Sequence, residues 1–125
     1  MKLVQFREAE AVPVEAPGTV GVRARVLLAA SDGAPNFTMR LFELAPGGRT
    51  PYHRHDYEHE VFVLSGRGTV RQGDERTHLA PGTAVLVQPM EWHGFEADGQ
   101  QGMQMLCLVP NRAYVPGQFR IDEGS

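Results

Sequence analysis

The sequence predicts an all-β fold, a barrel or sandwich, and two observations carry that reading. Short apolar runs recur at close spacing with turn residues between them, and no window holds the i, i+3, i+4, i+7 periodicity of an amphipathic helix. The 14 glycines and 9 prolines serve as this punctuation instead of gathering in one tract. A third observation concerns chemistry: three of the five histidines fall within the seven residues from His53 to His59, and a fourth is His93.

Leu3 to Phe6 reads as a short strand, and Glu8 to Gly18, broken by Pro13 and Pro17, as an irregular or edge segment. The run from Val20 to Leu28 begins with clean alternation, with Val20, Val22, Ala24 and Val26 on one face and Arg23 and Arg25 on the other. Residues 31–36 form a turn cluster. Phe37 to Leu44 alternates again, and Ala45-Pro46-Gly47-Gly48 ends that strand. Val61 to Leu64 is continuously apolar, as expected of a strand buried on both faces. Thr69 to Arg71 pairs with Thr77 to Leu79 through a tight turn at Gly73. Thr83 to Val87 and Met103 to Val109 are the remaining strong strands, and the tail from Pro110 drapes over the surface or frays. That gives nine or ten strands in a single domain spanning residues 1–125, with no linker.

Composition excludes several function classes. A net charge of -3 and a pI near 5.9 argue against nucleic acid or an anionic membrane as partner. A single cysteine, Cys107, forbids an intramolecular disulfide and suits a reducing compartment. No signal peptide or transmembrane run is visible, so a cytoplasmic location is expected.

The histidine spacing constrains the local backbone. His53, His55 and His59 share parity, but on a straight strand His55 and His59 stand about 13 Å apart and His53 and His59 about 20 Å. Imidazole nitrogens sit about 2.0–2.1 Å from a shared ion. Asp56-Tyr57-Glu58 is therefore predicted to turn the chain and place His59 on the next strand, facing back at His53 and His55. His93 arrives from a later strand, positioned by Pro89. Glu60 has the opposite parity to His59 and should point away. His78 lies outside the cluster and reads as an ordinary structural or exposed histidine.

At these residues the chain resembles the cupin superfamily. The usual first motif is Gly, five residues, His-x-His, three or four residues, Glu, six residues, Gly. Here Gly47, His53, His55, His59 and Gly66 occupy it, with His59 at the glutamate position. Reading Glu60 as the ligand would shorten the gap to Gly66 by one residue. The second motif is recognisable from Gly82 through Pro89 to His93, with Ala97 where asparagine is usual. The runs 34–42, 53–64 and 91–95 are similar to small single-domain bacterial cupins with a four-histidine manganese site, and the likeness covers about residues 21–110. The resemblance implies a cupin jelly-roll β-barrel (double-stranded β-helix), a homodimer, and one divalent transition metal inside one end of the barrel on His53, His55, His59 and His93. Manganese follows from the resemblance, while imidazole donors also suit iron, nickel, copper and zinc.

Four neutral imidazoles leave the ion's double charge uncompensated, which favours an anionic or enolate oxygen as ligand. Arg40 and Cys107 are candidate catalytic residues, Arg40 because its fork of donors suits a carboxylate. Phe37, Met39, Tyr52, Trp92, Phe95 and Met105 are candidate pocket residues. Three functions compete: a dioxygenase-like oxidoreductase acting on a small enolisable or phenolic substrate; a non-redox isomerase, cyclase or lyase; and a non-catalytic small-molecule-binding module. For association, Leu106 and Leu108 with an N-terminal stripe of Val4 and Phe6 are expected to meet a second subunit.

Overall fold

The computed structural model describes residues 1–115 and 118–119. Among these the strands, in chain order, are β1 (Val12–Pro13), β2 (Val20–Leu28), β3 (Phe37–Arg49), β4 (His59–Gly66), β5 (Gly68–Gln72), β6 (Glu75–Leu79), β7 (Ala84–Val87), β8 (Gly94–Ala97), β9 (Met103–Pro110), β10 (Tyr114–Val115) and β11 (Gln118–Phe119). All pairings are antiparallel, and the main sheet runs β6-β5-β8-β3-β9-β4-β7, with β2 also on β3 and β1 on β2. The chain is a jelly-roll β-barrel. No helix among the described residues is long and apolar enough to cross a membrane.

Two strand junctions curl this sheet. β3 pairs along residues 37–44 with β9 and β2, yet its last residue, Arg49, pairs with Glu96 of β8. One strand thus serves both halves of the barrel. The segment Ala45–Gly48 is not the strand end that its Pro-Gly-Gly composition predicts. It is the irregularity at which the β2 register jumps from Val22↔Leu44 to Val20↔Arg49. The second junction is Gly66, where β4 gives way to β5: its φ is +79°, and an added Cβ would overlap the Gly102 carbonyl. The β5–β6 hairpin closes over Gly73, with φ +59°, as a two-residue turn with glycine first requires.

Alternation builds the interior. Met103, Met105, Cys107 and Val109 on β9 face inward with Val61 and Val63 on β4, joined by Leu44, Leu79, Val87 and Phe95. Three expectations need correction. On β2 the buried face passes from Val22 and Ala24 to Leu27 instead of Val26, because the pairing with β3 shifts between Val26 and Leu28. The apolar run on β4 is covered on one side only: Val61 and Val63 are buried, while Phe62 and Leu64 remain 43% and 40% exposed. Finally, Leu3–Phe6 is not a strand. Phe6–Glu8 forms one 3-10 turn, closed by Ala9 N donating to Phe6 O at 3.2 Å, and Arg25 Nη1 donates to the Ala9 carbonyl at 2.7 Å.

Candidate metal centre

The predicted reversal is present: the chain bends at Asp56-Tyr57 and β4 begins at His59. His53 and His93 hold their two segments together by reciprocal backbone hydrogen bonds, His53 N to His93 O at 3.0 Å and His93 N to His53 O at 2.9 Å. Met90 supports the same arrangement. It sits at φ 66°, unusual for a side-chain-bearing residue, and its N–H donates to His55 O at 2.7 Å.

His53, His55 and His93 each bring one ring nitrogen to within 4.8 Å of the others, and His59 Nε2 lies 3.0 Å from His93 Nε2. Carbonyls fix two tautomers. His55 Nδ1–H donates to Tyr57 O and His93 Nδ1–H to Glu91 O, both at 2.8 Å, so the Nε2 lone pairs of these rings are available for a ligand. Tyr57 also lies flat against His55, with centroids 4.0 Å apart. Burial holds His55 at a pKa of about 4, pushes His59 well below the ordinary histidine value and lowers His93, so these rings are neutral at pH 7. Two nitrogens held at right angles about 2.1 Å from one ion stand about 3.0 Å apart, so the His59–His93 spacing and the all-nitrogen donor set fit a divalent transition metal.

The cavity around these rings has about 630 Å³ of empty space, counting its open mouth. Its walls are largely apolar, and no carboxylate lines it among the described residues. Arg40 and Cys107, direct partners across β3 and β9, both reach it. Arg40 Nη2 donates to Cys107 Sγ at 3.3 Å, and Sγ also lies 3.1 Å from His59 Nδ1. Burial pushes the Cys107 thiol pKa up, against the opposing pull of the Arg40 charge.

Of the six predicted pocket residues, Phe95 and Met105 line this cavity. The other four do not. Phe37 and Met39 have the opposite parity to Arg40, so they take the outer face of β3; Phe37 is 67% exposed and Met39 lies in an outer groove. Tyr52 and Trp92 stack on each other outside the cavity, 5.6 Å apart and 17° from parallel. Glu60 is exposed on the outer side of β4, and His78 is exposed on β6. Sequence reading missed Val14, Thr19, Phe42, Thr50 and Tyr57 as lining residues. Parity with Arg40 was a signal for Phe42. Nothing local marked Val14 or Thr19, which reach the cavity from the proline-broken segment before β2.

Fold and clustered imidazoles together define a β-barrel with a candidate metal centre. The chain belongs to the cupin domain family, which matches residues 40–109, more than half of it. It is 35% identical over 71 residues to the 1-methylthio-D-xylulose 5-phosphate methylsulfurylase of Rhodospirillum rubrum; the match covers 57% of this chain and 46% of that enzyme, so the chain spans about half the length of this curated relative. The polyketide cyclase RemF from Streptomyces resistomycificus superposes with a TM-score of 0.85 at 34% identity, covering 89% of this chain and 80% of that one. A cupin-2 domain protein of Rhodospirillum rubrum superposes with a TM-score of 0.74 at 27% identity, covering 87% of this chain and 74% of that one.

Proposed function

We propose that this cupin is a metal-dependent enzyme that holds one divalent transition ion on His53, His55, His59 and His93. It acts on a small enolisable or phenolic molecule by ring closure or isomerisation. The observation that carries the reading is the all-nitrogen cluster set in an apolar cavity whose lining, among the described residues, supplies no carboxylate. When bound, the ion supplies Lewis acidity to substrate oxygens. Arg40 offers its fork to an anionic oxygen, and Val61, Phe95 and Met105 exclude water from the reacting carbons. The likeness to a polyketide cyclase over most of both chains favours this chemistry over oxygenation. Four histidine donors also support a second reading, a dioxygenase-like oxidoreductase, because a six-coordinate ion held by them would keep two positions for ligands. Manganese remains the preferred metal for either.

Metal-loaded protein offered a poly-β-ketone under argon is expected to give a product with one water fewer, or an isomer of equal mass, and to keep this activity with zinc. No turnover under argon, but oxygen uptake in air with a product gaining two oxygen atoms, would select the second reading. No product with either metal, despite ligand-induced stabilisation, would leave a binding module.

The proposed partner of the uncovered apolar face is a second copy of this chain. Met39, Phe62, Leu86, Leu106 and Leu108 line one outer groove, in which Phe62 and Leu86 are 43% and 51% exposed. Sedimentation velocity is expected to show twice the 13.8 kDa chain mass, and Phe62→Glu with Leu86→Glu to give the monomer. A wild-type monomer at micromolar concentration would sink this.

A further inference from the structure

A second concave surface, of about 640 Å³ counting its open side, lies outside the barrel wall and carries three arginines: Arg49 from the end of β3, Arg71 from β5 and Arg76 from β6. Arg71 and Arg76 are direct cross-strand partners, a placement in which like charges repel. Glu96 stands opposite Arg49 in the same trough and offsets one of the three charges, which leaves two. None of the three arginines makes an ion pair among the described residues. Arg71 is nevertheless held in place. Its guanidinium lies 4.5 Å from the Tyr52 ring centre, its Nε donates to Gly73 O at 2.9 Å, and Tyr52 Oη accepts from Gly73 N at 2.7 Å. The Nη groups of Arg71 make no hydrogen bond among the described residues.

We infer that this trough is an anion site that takes the phosphate or carboxylate group of a small molecule, with Arg71 and Arg76 as its paired donors. An oxyanion between the two guanidiniums turns their repulsion into charge-assisted hydrogen bonding, and the stacked, tethered Arg71 loses little freedom on binding. The trough shares Thr50 and Phe95 with the histidine cavity, so a molecule anchored there by its anionic group lies against the cavity wall. The site requires no metal, so it stands or falls separately from the proposed reaction.

The test is titration of the intact protein with methyl phosphate and with acetate, followed by NMR of backbone and arginine Nε–H resonances. Saturable shifts at Arg71 and Gly73 are expected with a Kd below about 1 mM for one of the two, and the tighter one identifies the group. Arg71→Gln with Arg76→Gln should weaken binding at least about tenfold, while Arg23→Gln, an exposed arginine elsewhere on β2, should not. Thermal melting gives a second readout. In anion-poor buffer Arg76→Gln should melt above wild type, because the repulsion is gone, and saturating methyl phosphate or acetate, whichever binds, should reverse that order. No saturable shift with either compound, or shifts that survive the double substitution, would overturn the site.

Discussion

Replacing His93 by alanine is expected to strip the divalent metal from the protein. His93 is the hub of the cluster. Its ring shares the close grouping with His53 and His55, and its Nε2 lies nearest His59 Nε2. Loss of a hydrogen-bonding partner behind a metal ligand already costs about 10–100-fold in affinity, so loss of the ligand itself should cost more than about a hundredfold. Elemental analysis of untagged protein after gel filtration should show about one transition metal per wild-type chain and little on the variant. The backbone bonds between residues 53 and 93 do not depend on the side chain, so the variant should remain folded, with a melting point that a chelator no longer lowers. His59→Ala and Glu60→Ala then settle the ligand set. If His59 is the fourth ligand, its loss resembles that of His93, whereas Glu60, on the outer side of β4, is dispensable. Metal lost with Glu60→Ala and kept with His59→Ala would overturn the assignment. Metal kept by both variants would reduce the set to three histidines.

The histidine spacing made the grouping of these rings legible in the sequence. Parity and reach together required a reversal between His55 and His59, and the chain bends at Asp56-Tyr57. The strands were legible for a related reason: alternation or a short apolar run between turn residues marks each one locally, and β2 spans Val20–Leu28 as its apolar run does. What failed was whatever depends on a partner strand. β3 runs through Ala45–Gly48 because β2 and β8 pair on either side of that segment, and no local signal reports that pairing. The burial of β4 was misjudged for the same reason, since a continuous apolar run does not say whether a second layer covers its outer face. Phe37 and Met39 were a different error. Placing them in the pocket beside Arg40 ignored a parity that the sequence itself displays. Tyr52 and Trp92 flank histidines, but they stack on each other outside the cavity, so proximity in sequence to a ligand did not make either a pocket wall.

Cys107→Val is expected to weaken metal binding by about 10–100-fold although Cys107 belongs to no proposed ligand set. Its sulfur stands between Arg40 Nη2 at 3.3 Å and His59 Nδ1 at 3.1 Å, inside a fully buried part of the barrel. Directing Nδ1 of His59 at the sulfur turns its Nε2 toward His93, so the thiol orients a ring whose reach defines the site. Valine keeps most of the volume but accepts no hydrogen bond. The Arg40 N–H and His59 Nδ1 would both lose this partner in a water-poor setting, at about 1–3 kcal/mol for each buried group left unsatisfied. Serine is the informative control, because its hydroxyl restores a donor and acceptor at nearly the same place. Chelator competition should return Cys107→Ser to within a few-fold of wild type and leave Cys107→Val weak. The visible spectrum of the cobalt-substituted protein should change for valine more than for serine, since it reports ligand orientation at the ion. Equal losses for both would assign the effect to packing. Wild-type affinity for both would make Cys107 simple core filling, and His59 would then owe its orientation to the backbone of β4 alone.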